Sequence, residues 1–295
     1  MIYRMKLQNK PFKQIEGGSK KIEIRLNDEK RSLFNVNDYI EITNISTLEI
    51  MFVKITNLYH FESFEMLFNH FDNSILGSSC YENLYNYYSK EDETLYGVLG
   101  IEIETLPKFN QIIHNENNLT LMDVNKIVRR SKLIVENSKG EILICHMGTK
   151  YFLIGGHIDN DESDEQCLTR EVYEESGVKI KFKNILPIAS SNYINKDYNN
   201  ITYINTNYYF IKYDLIPDIK NQNLTQEEKN ENFNLIYIPK SEVLVFLEKN
   251  RKISQENGTL SDTIMAIKVY LNLQKWFSSC YNYYGSRYEK DKFNI

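Results

Sequence analysis

Short runs of alternating apolar and polar positions dominate the first hundred residues. Ile22 to Leu26, Tyr39 to Thr43, Glu49 to Thr56 and Gly97 to Ile103 are β-branched or alternating stretches ended by turn residues, the period-two pattern of half-buried strands. A helix is predicted near Ser63 to Phe71, and another running from Pro11 into the Gly17-Gly18 turn. The stretch Pro107 to Thr120 has no period, and His114-Asn115-Glu116-Asn117-Asn118 at its centre is polar, so it reads as a linker with a domain boundary near residue 110. Beyond it, Arg130 to Val135, a turn at Asn137-Ser138-Lys139-Gly140 and Glu141 to Cys145 predict a β-hairpin. Strand and helix patterns then alternate, without an internal repeat, a heptad or a low-complexity tail.

Length and charge narrow the class. At 295 residues the chain can build two domains of about 150 residues each. No apolar run approaches the roughly 18 residues needed to span a bilayer, and the start Met1-Ile2-Tyr3-Arg4-Met5-Lys6 leads into polar residues, not an apolar signal core. A soluble, cytoplasmic protein with no membrane partner is expected. Cys80, Cys145, Cys167 and Cys280 lie far apart, in neither a zinc nor a disulfide spacing. The net charge of -5 argues against attraction of the whole surface to nucleic acid, but the first 31 residues carry nine Lys/Arg against four Asp/Glu. The 22 tyrosines and frequent Asn, Ile and Lys fit an AT-rich genome, so a single Tyr or Asn carries little weight.

The chemistry concentrates between Gly156 and Val178. Ser163 with Gln166 forms a potential capping box, Leu168 and Val172 are one turn apart, and Gly177 stands where a helix ends in a left-handed residue. The helix is therefore placed at Asp164 to Ser176. On it Glu171, Glu174 and Glu175 share one face at i, i+3, i+4, an all-oxygen set suited to a hard divalent cation. Arg170 is placed to hydrogen-bond one of those carboxylates and fix its rotamer. A bare E-x-x-E-E would by default be a solvated helix face. Here seven fixed residues and two apolar positions are in register, a chance match on the order of 10⁻¹⁰ at any given start.

That pattern resembles the Nudix box: glycine, five residues, Glu, seven residues, Arg-Glu, apolar, any, Glu-Glu, any, Gly, apolar. The resemblance implies an α/β/α sandwich with a mixed sheet over about residues 126 to 275, and hydrolysis of a nucleoside diphosphate linked to another group. It implies Mg²⁺ or Mn²⁺ on Glu171, Glu174 and Glu175, with Gly155 and Gly156 as the backbone that approaches the metal. One departure is Ile154, where the family often has proline before the glycine pair. The general base varies among relatives; Glu227, Glu228 and Glu231, just before the run Phe233 to Ile238, are candidates, with Glu228 taken as the representative.

Near the N-terminus, Lys20 and Arg25 bracket Glu23, and in an extended strand Glu23 and Arg25 share a face, so an ion pair could hold the cation beside a groove. Gly18-x-Lys20-x-x-Glu23-x-Arg25, with Val36 to Ile40 and Tyr96-Gly97-Val98, resembles the ASCH domain, a small PUA-like β-barrel. The likeness covers about residues 3 to 106 and implies RNA or nucleotide binding through Lys20, Glu23 and Arg25. A few members hydrolyse acetylated cytidine with a Lys, Thr and Glu set, but Glu23 occupies the threonine's place, and an ion pair that serves only the barrel is the plainer alternative.

The expected organisation is an ASCH-like domain at 1–106, a linker at 107–125 and a Nudix domain at 126–295. The tail from Trp276 to Ile295 is aromatic-rich, and packing as a last helix or at a homodimer contact is expected in preference to stacking on bases. Substrate candidates are a soluble nucleotide-linked molecule and a 5′-phosphorylated RNA end. A nucleotide sensor without catalysis is the competing class, and the intact carboxylate set counts against it.

Overall fold

The computed structural model describes residues 1–108, 110–115, 118–159, 161–183, 185–197, 199–251 and 257–277. The tail expectation from residue 278 onward, with Cys280, lies outside them. The chain divides into two units, 1–109 with 117–123, and 110–116 with 124 onward. Among the described residues no helix is long and apolar enough to cross a membrane.

The first unit is a curled half-barrel of five strands in the order β1-β3-β4-β5-β2. These are β1 (Ile2–Leu7), β2 (Ile22–Leu26), β3 (Tyr39–Asn44), β4 (Ile50–Phe61) and β5 (Val98–Thr105). The four strands expected from alternation are present. β1 was not expected: its partner β3, parallel from Ile2↔Tyr39 to Leu7↔Asn44, is more than thirty residues away, so no local turn announces it. The ladder between β4 and β5 shifts between Ile55 and Asn57, a bulge that bends the long strand and curls the sheet. Inside the curl, Ile40, Ile42, Val53, Ile55 and Ile101 pack on Phe12 and Ile15 of α1 (Asn9–Glu16). Ile22 and Ile24 of β2 pack on Phe64 and Leu67 of α2 (Phe64–His70), whose N-cap Ser63 accepts from the Met66 amide. The short helices α3 (Asn73–Leu76) and α4 (Lys90–Tyr96) complete this unit.

The second unit is a mixed sheet in the order β12-β8-β7-β11-β10-β6, with β9 paired to β8. Its strands are β6 (Asn110–His114), β7 (Lys126–Glu136), β8 (Glu141–Met147), β9 (Lys150–Phe152), β10 (Ala189–Lys196), β11 (Ile201–Lys212) and β12 (Asn234–Pro239). One face carries α5 (Asp164–Ser176), through Leu168 and Val172 against Leu133, Val135, Tyr209 and Ile211. The other carries α7 (Val243–Arg251) and α8 (Asn257–Phe277), through Val243, Leu247, Ile264 and Ile267 against Ile134, Ile144 and Tyr208. The short α6 (Gln226–Asn230) precedes β12.

Two expectations need correction. The stretch read as a linker contains β6, which runs parallel to β10 from Ala189↔Asn110 to Tyr193↔His114; its only apolar pair is Ile112-Ile113, and its partner lies almost eighty residues away, so no period exposed it. The predicted hairpin has its turn, but β7 and β8 are paired only at Glu136↔Ile142. Past that point β8 is claimed by β12 and β9, and β7 runs parallel to β11 from Lys126↔Thr202 to Glu136↔Lys212. The opened side of β7 is filled by residues 154–157, through bridges Leu133↔Ile154 and Arg130↔His157.

Candidate active site

The helix of the box is fixed at both ends by local chemistry. The Ser163 hydroxyl accepts from the Gln166 amide and the Gln166 side chain accepts from the Ser163 amide, 3.2 and 2.8 Å. At the other end Gly177 is left-handed, φ 75°, and its amide donates to the Tyr173 carbonyl at 2.7 Å. The last turn is tied to the loop that follows: Asp218 N–H donates to Ser176 O, Asn223 N–H to Glu174 O and the Gln222 amide to Glu175 O, at 2.7, 2.9 and 2.6 Å. The carboxylate-bearing end of α5 is therefore held by backbone bonds on two sides.

Against this helix lies the strand-like segment 154–157. The Ser131 and Leu133 amides donate to the Gly156 and Ile154 carbonyls, 3.0 and 2.9 Å. Gly155 is required by space and conformation, and Gly156 leaves room for a carboxylate. Gly155 has φ 114°, and a Cβ there would strike the Ser131 carbonyl; a Cβ on Gly156 would occupy the place of the Glu171 carboxylate.

Arg170 is the hub of the charged cluster. Its Nε and Nη2 hold both oxygens of Glu162 at 2.9 and 2.8 Å, a bidentate fork, while Nη1 reaches Glu171 at 2.7 Å and Glu174 at 3.1 Å. Nη2 also donates to the His157 carbonyl, 2.8 Å. Glu175 is 4% exposed and accepts from the Gly155 amide at 2.8 Å. Burial pushes its carboxyl up to about 8; Lys132 and the Gly155 amide pull it back, while Glu171 and Glu228 push it further. Burial also raises Glu171, against Arg170 and Lys132. At both carboxyls burial outweighs the neighbouring cations.

Sequence reasoning missed Lys132, whose ammonium donates to the Gly155 carbonyl and lies 5.1 Å from the Phe152 ring centroid. Nothing local marks it, because the pairing of β7 with residues 154–157 brings it there. It also passed over Glu162, which fills a fixed position of the box. Glu228 is near enough to raise Glu175, but its own carboxylate accepts from the Thr225 amide and hydroxyl, 2.6 and 2.9 Å, as the N-cap partner of α6.

Among the described residues no three His, Cys, Asp or Glu side chains converge as a metal-holding group. Arg170 accounts for this, since it draws Glu171 and Glu174 onto itself. The donor set nevertheless fits a hard divalent cation: three carboxylates and the Gly155 carbonyl are all oxygen, two carboxyls are raised by desolvation, and the glycine pair opens the approach.

Lys20, Glu23 and Arg25 form a separate cluster in the first unit. Glu23 is 2% exposed, with Lys20 Nζ at 3.0 Å and Arg25 Nη2 at 2.9 Å. Burial works against its charge, but Lys20 and Arg25 outweigh it and hold the carboxyl below its usual value. Arg25 Nη1 donates to the Tyr88 hydroxyl at 3.0 Å. The cluster keeps one net positive charge.

Comparison with known families finds an ASCH domain over residues 5–107 and a NUDIX domain over residues 127–257. Among solved structures, protein PF0455 from Pyrococcus furiosus is 32% identical over 37% of this chain and all of its own, with TM-score 0.31. The hypothetical protein PH0355 is 30% identical over 36% of this chain and all of its own, TM-score 0.33. The MutT protein from Methanosarcina mazei Go1 is 17% identical over 48% of this chain and 94% of its own, TM-score 0.33. No curated protein matches the chain.

Proposed function

We propose, for a chain that is a Nudix hydrolase carrying an N-terminal ASCH domain, that it splits the phosphoanhydride of a nucleoside diphosphate linked to another group, and does so only with Mg²⁺ or Mn²⁺. The observation that carries this reading is the desolvated acidic cluster: Glu175 is buried and Glu171 half-buried beside Glu174, both with their carboxyls raised. So many acidic groups are costly to gather unless a cation is to be held. Glu171, Glu174, Glu175 and the Gly155 carbonyl would hold it. A bound divalent ion supplies charge neutralisation at the phosphates and a more acidic water.

The protein's own work is positioning. Arg170 fixes the rotamers of Glu171 and Glu174 and is itself fixed by the Glu162 fork and the His157 carbonyl. Lys132 places an ammonium at the Gly155 carbonyl, where it can meet a phosphate oxygen. Glu228, felt at Glu175 and situated in α6 just before β12, is assigned the proton from water. In the first domain, Glu23 holds Lys20 and Arg25 in place, and their excess positive charge is assigned to contact with a nucleotide or RNA phosphate. Glu23 stands where the acetylcytidine-hydrolysing members have threonine, which favours this over cytidine deacetylation.

The test is phosphate and nucleotide release from a panel of ADP-ribose, NADH, diadenosine polyphosphates, nucleoside triphosphates and 5′-triphosphorylated RNA, in Mg²⁺ and in EDTA. Release that needs metal and disappears in Glu174→Gln is expected. A metal-loaded, folded protein that releases nothing from any of them would favour the sensor reading.

A further inference from the structure

At one level, the middle of the second sheet is polar on both faces. Parallel strands covered by helices are expected to be nearly continuous apolar runs, and β7 and β11 follow this at Leu133 to Val135 and Tyr208 to Ile211. Residues 129–131 of β7, 205–207 of β11 and 190–192 of β10 break it side by side. On the α5 face the amides are partly joined: Asn192 Oδ1 accepts from the Tyr203 hydroxyl and the Asn205 amide, 3.0 and 2.9 Å, while Asn205 Oδ1 has no hydrogen-bond partner among the described residues.

The α8 face is different. There Arg130, Thr206 and Ser191 form a row across three strands, and Asp262 of α8 meets it. The Tyr193 hydroxyl donates to Asp262 Oδ2, and the Ser191 hydroxyl to the same oxygen at 3.4 Å. Among the described residues no donor reaches Oδ1. Arg130 Nε donates to His157 Nε2 at 3.1 Å, and its two terminal nitrogens have no hydrogen-bond partner among the described residues, although its charge, like that of His114, acts on Asp262. Asp262 is only half-buried, so this unmatched pair of a donor fork and an acceptor oxygen is open to a ligand.

The row leads to the acidic centre. Lys132, at the Gly155 carbonyl, is two residues along β7 from Arg130, and Ser191 is two strands across from it. Strand spacing makes the diagonal from Lys132 to Ser191 about 12 Å, the reach of a nucleoside 5′-phosphate from its phosphate to the far edge of its base. We infer that Arg130, Tyr193 and Asp262 form a base-recognition site and select the guanine edge. Arg130 donates to O6 or N7, and Asp262 Oδ1 accepts from N1–H and the exocyclic amine. Adenine would turn the N1 lone pair toward the carboxylate and leave it unmatched. The inference rests on the hydrolase reading for the place of the phosphate.

The experiment is calorimetric titration of the full chain with GMP, IMP, AMP, CMP and UMP in Mg²⁺. Monophosphates contain no phosphoanhydride, so nothing is turned over and the result does not depend on hydrolysis. GMP is expected to bind at least tenfold tighter than AMP, CMP or UMP, with IMP, which lacks the amine, between. Asp262→Asn is expected to remove that preference, a loss on the order of 10- to 100-fold for GMP. Tyr193→Phe keeps the ring, loosens Asp262 and lowers GMP affinity several-fold, and it decides the matter if Asp262→Asn does not fold. Equal affinities, a preference for AMP, or a folded Asp262→Asn that still prefers GMP would overturn the assignment. A panel without hydrolysis in any form would count against the hydrolase reading and leave the GMP preference to stand or fall separately.

Discussion

Replacing Gly177 by alanine should unfasten the end of the helix that carries the acidic cluster. The residue is left-handed, with φ 75° and ψ −1°, and an L side chain there costs about 1–2 kcal/mol. A second cost is steric. The added Cβ would meet the Asp218 carbonyl, a backbone atom anchored by its own amide to Ser176 O at 2.7 Å. Forcing a methyl into such a contact costs about 1–3 kcal/mol, so the total is about 2–5 kcal/mol. Urea unfolding followed by far-UV circular dichroism reads the loss as a shift of the midpoint. Gly177→Asn separates the two costs, because asparagine tolerates the left-handed region but brings the same Cβ. Asparagine should recover about 1 kcal/mol of the alanine loss. Segment 218–223 also holds the carbonyls of Glu174 and Glu175, so turnover should fall together with stability. If both variants unfold within about 0.5 kcal/mol of the parent, the range of an ordinary surface change, the account of this helix end is wrong.

Other consequences can be checked more briefly. Glu23 is held below its usual carboxyl value, so its contribution to stability is complete above about pH 4.5 and is lost as the pH falls through its lower folded value. Glu23→Gln should flatten that acid limb and, by leaving Lys20 and Arg25 without their partner, cost about 3–5 kcal/mol at neutral pH; an unchanged melting profile from pH 2 to 7 would contradict it. Arg170→Lys keeps the charge but loses the fork to Glu162 and the simultaneous reach to Glu171 and Glu174, and should lower turnover or metal affinity about 10- to 100-fold. Full activity in that variant would mean that Arg170 does not set the carboxylate rotamers.

What the sequence revealed followed the range of the interactions. The limits of α5, its capping box and its left-handed end depend on contacts within four residues, and they were read from the box directly. The pairing of Glu23 with Arg25 followed from strand parity alone. β1 and β6 were hidden because each is an edge strand parallel to a distant partner. Lys132 and Asp262 were hidden for the same reason: sheet pairing sets one opposite the glycine pair and helix packing sets the other on Tyr193. Glu228 was legible as a candidate, but its engagement in the α6 cap was not used.

The path of the chain between its two units limits how far this protein can be taken apart. Residues 110–116 belong to the second unit, 117–123 return to the first, and the chain then goes back to the second. The return is anchored, since Leu121 is buried and its amide donates to the Ile45 carbonyl at 2.9 Å. A recombinant fragment cut at 106 would lack Leu121, and one begun at 126 would lack β6 and bare the hydrogen-bonding edge of β10 to other chains. Because residues 117–123 of the first unit follow residues 110–116 of the second along the chain, no single cut leaves both units whole, and a fusion or swap of either half alone carries an incomplete unit.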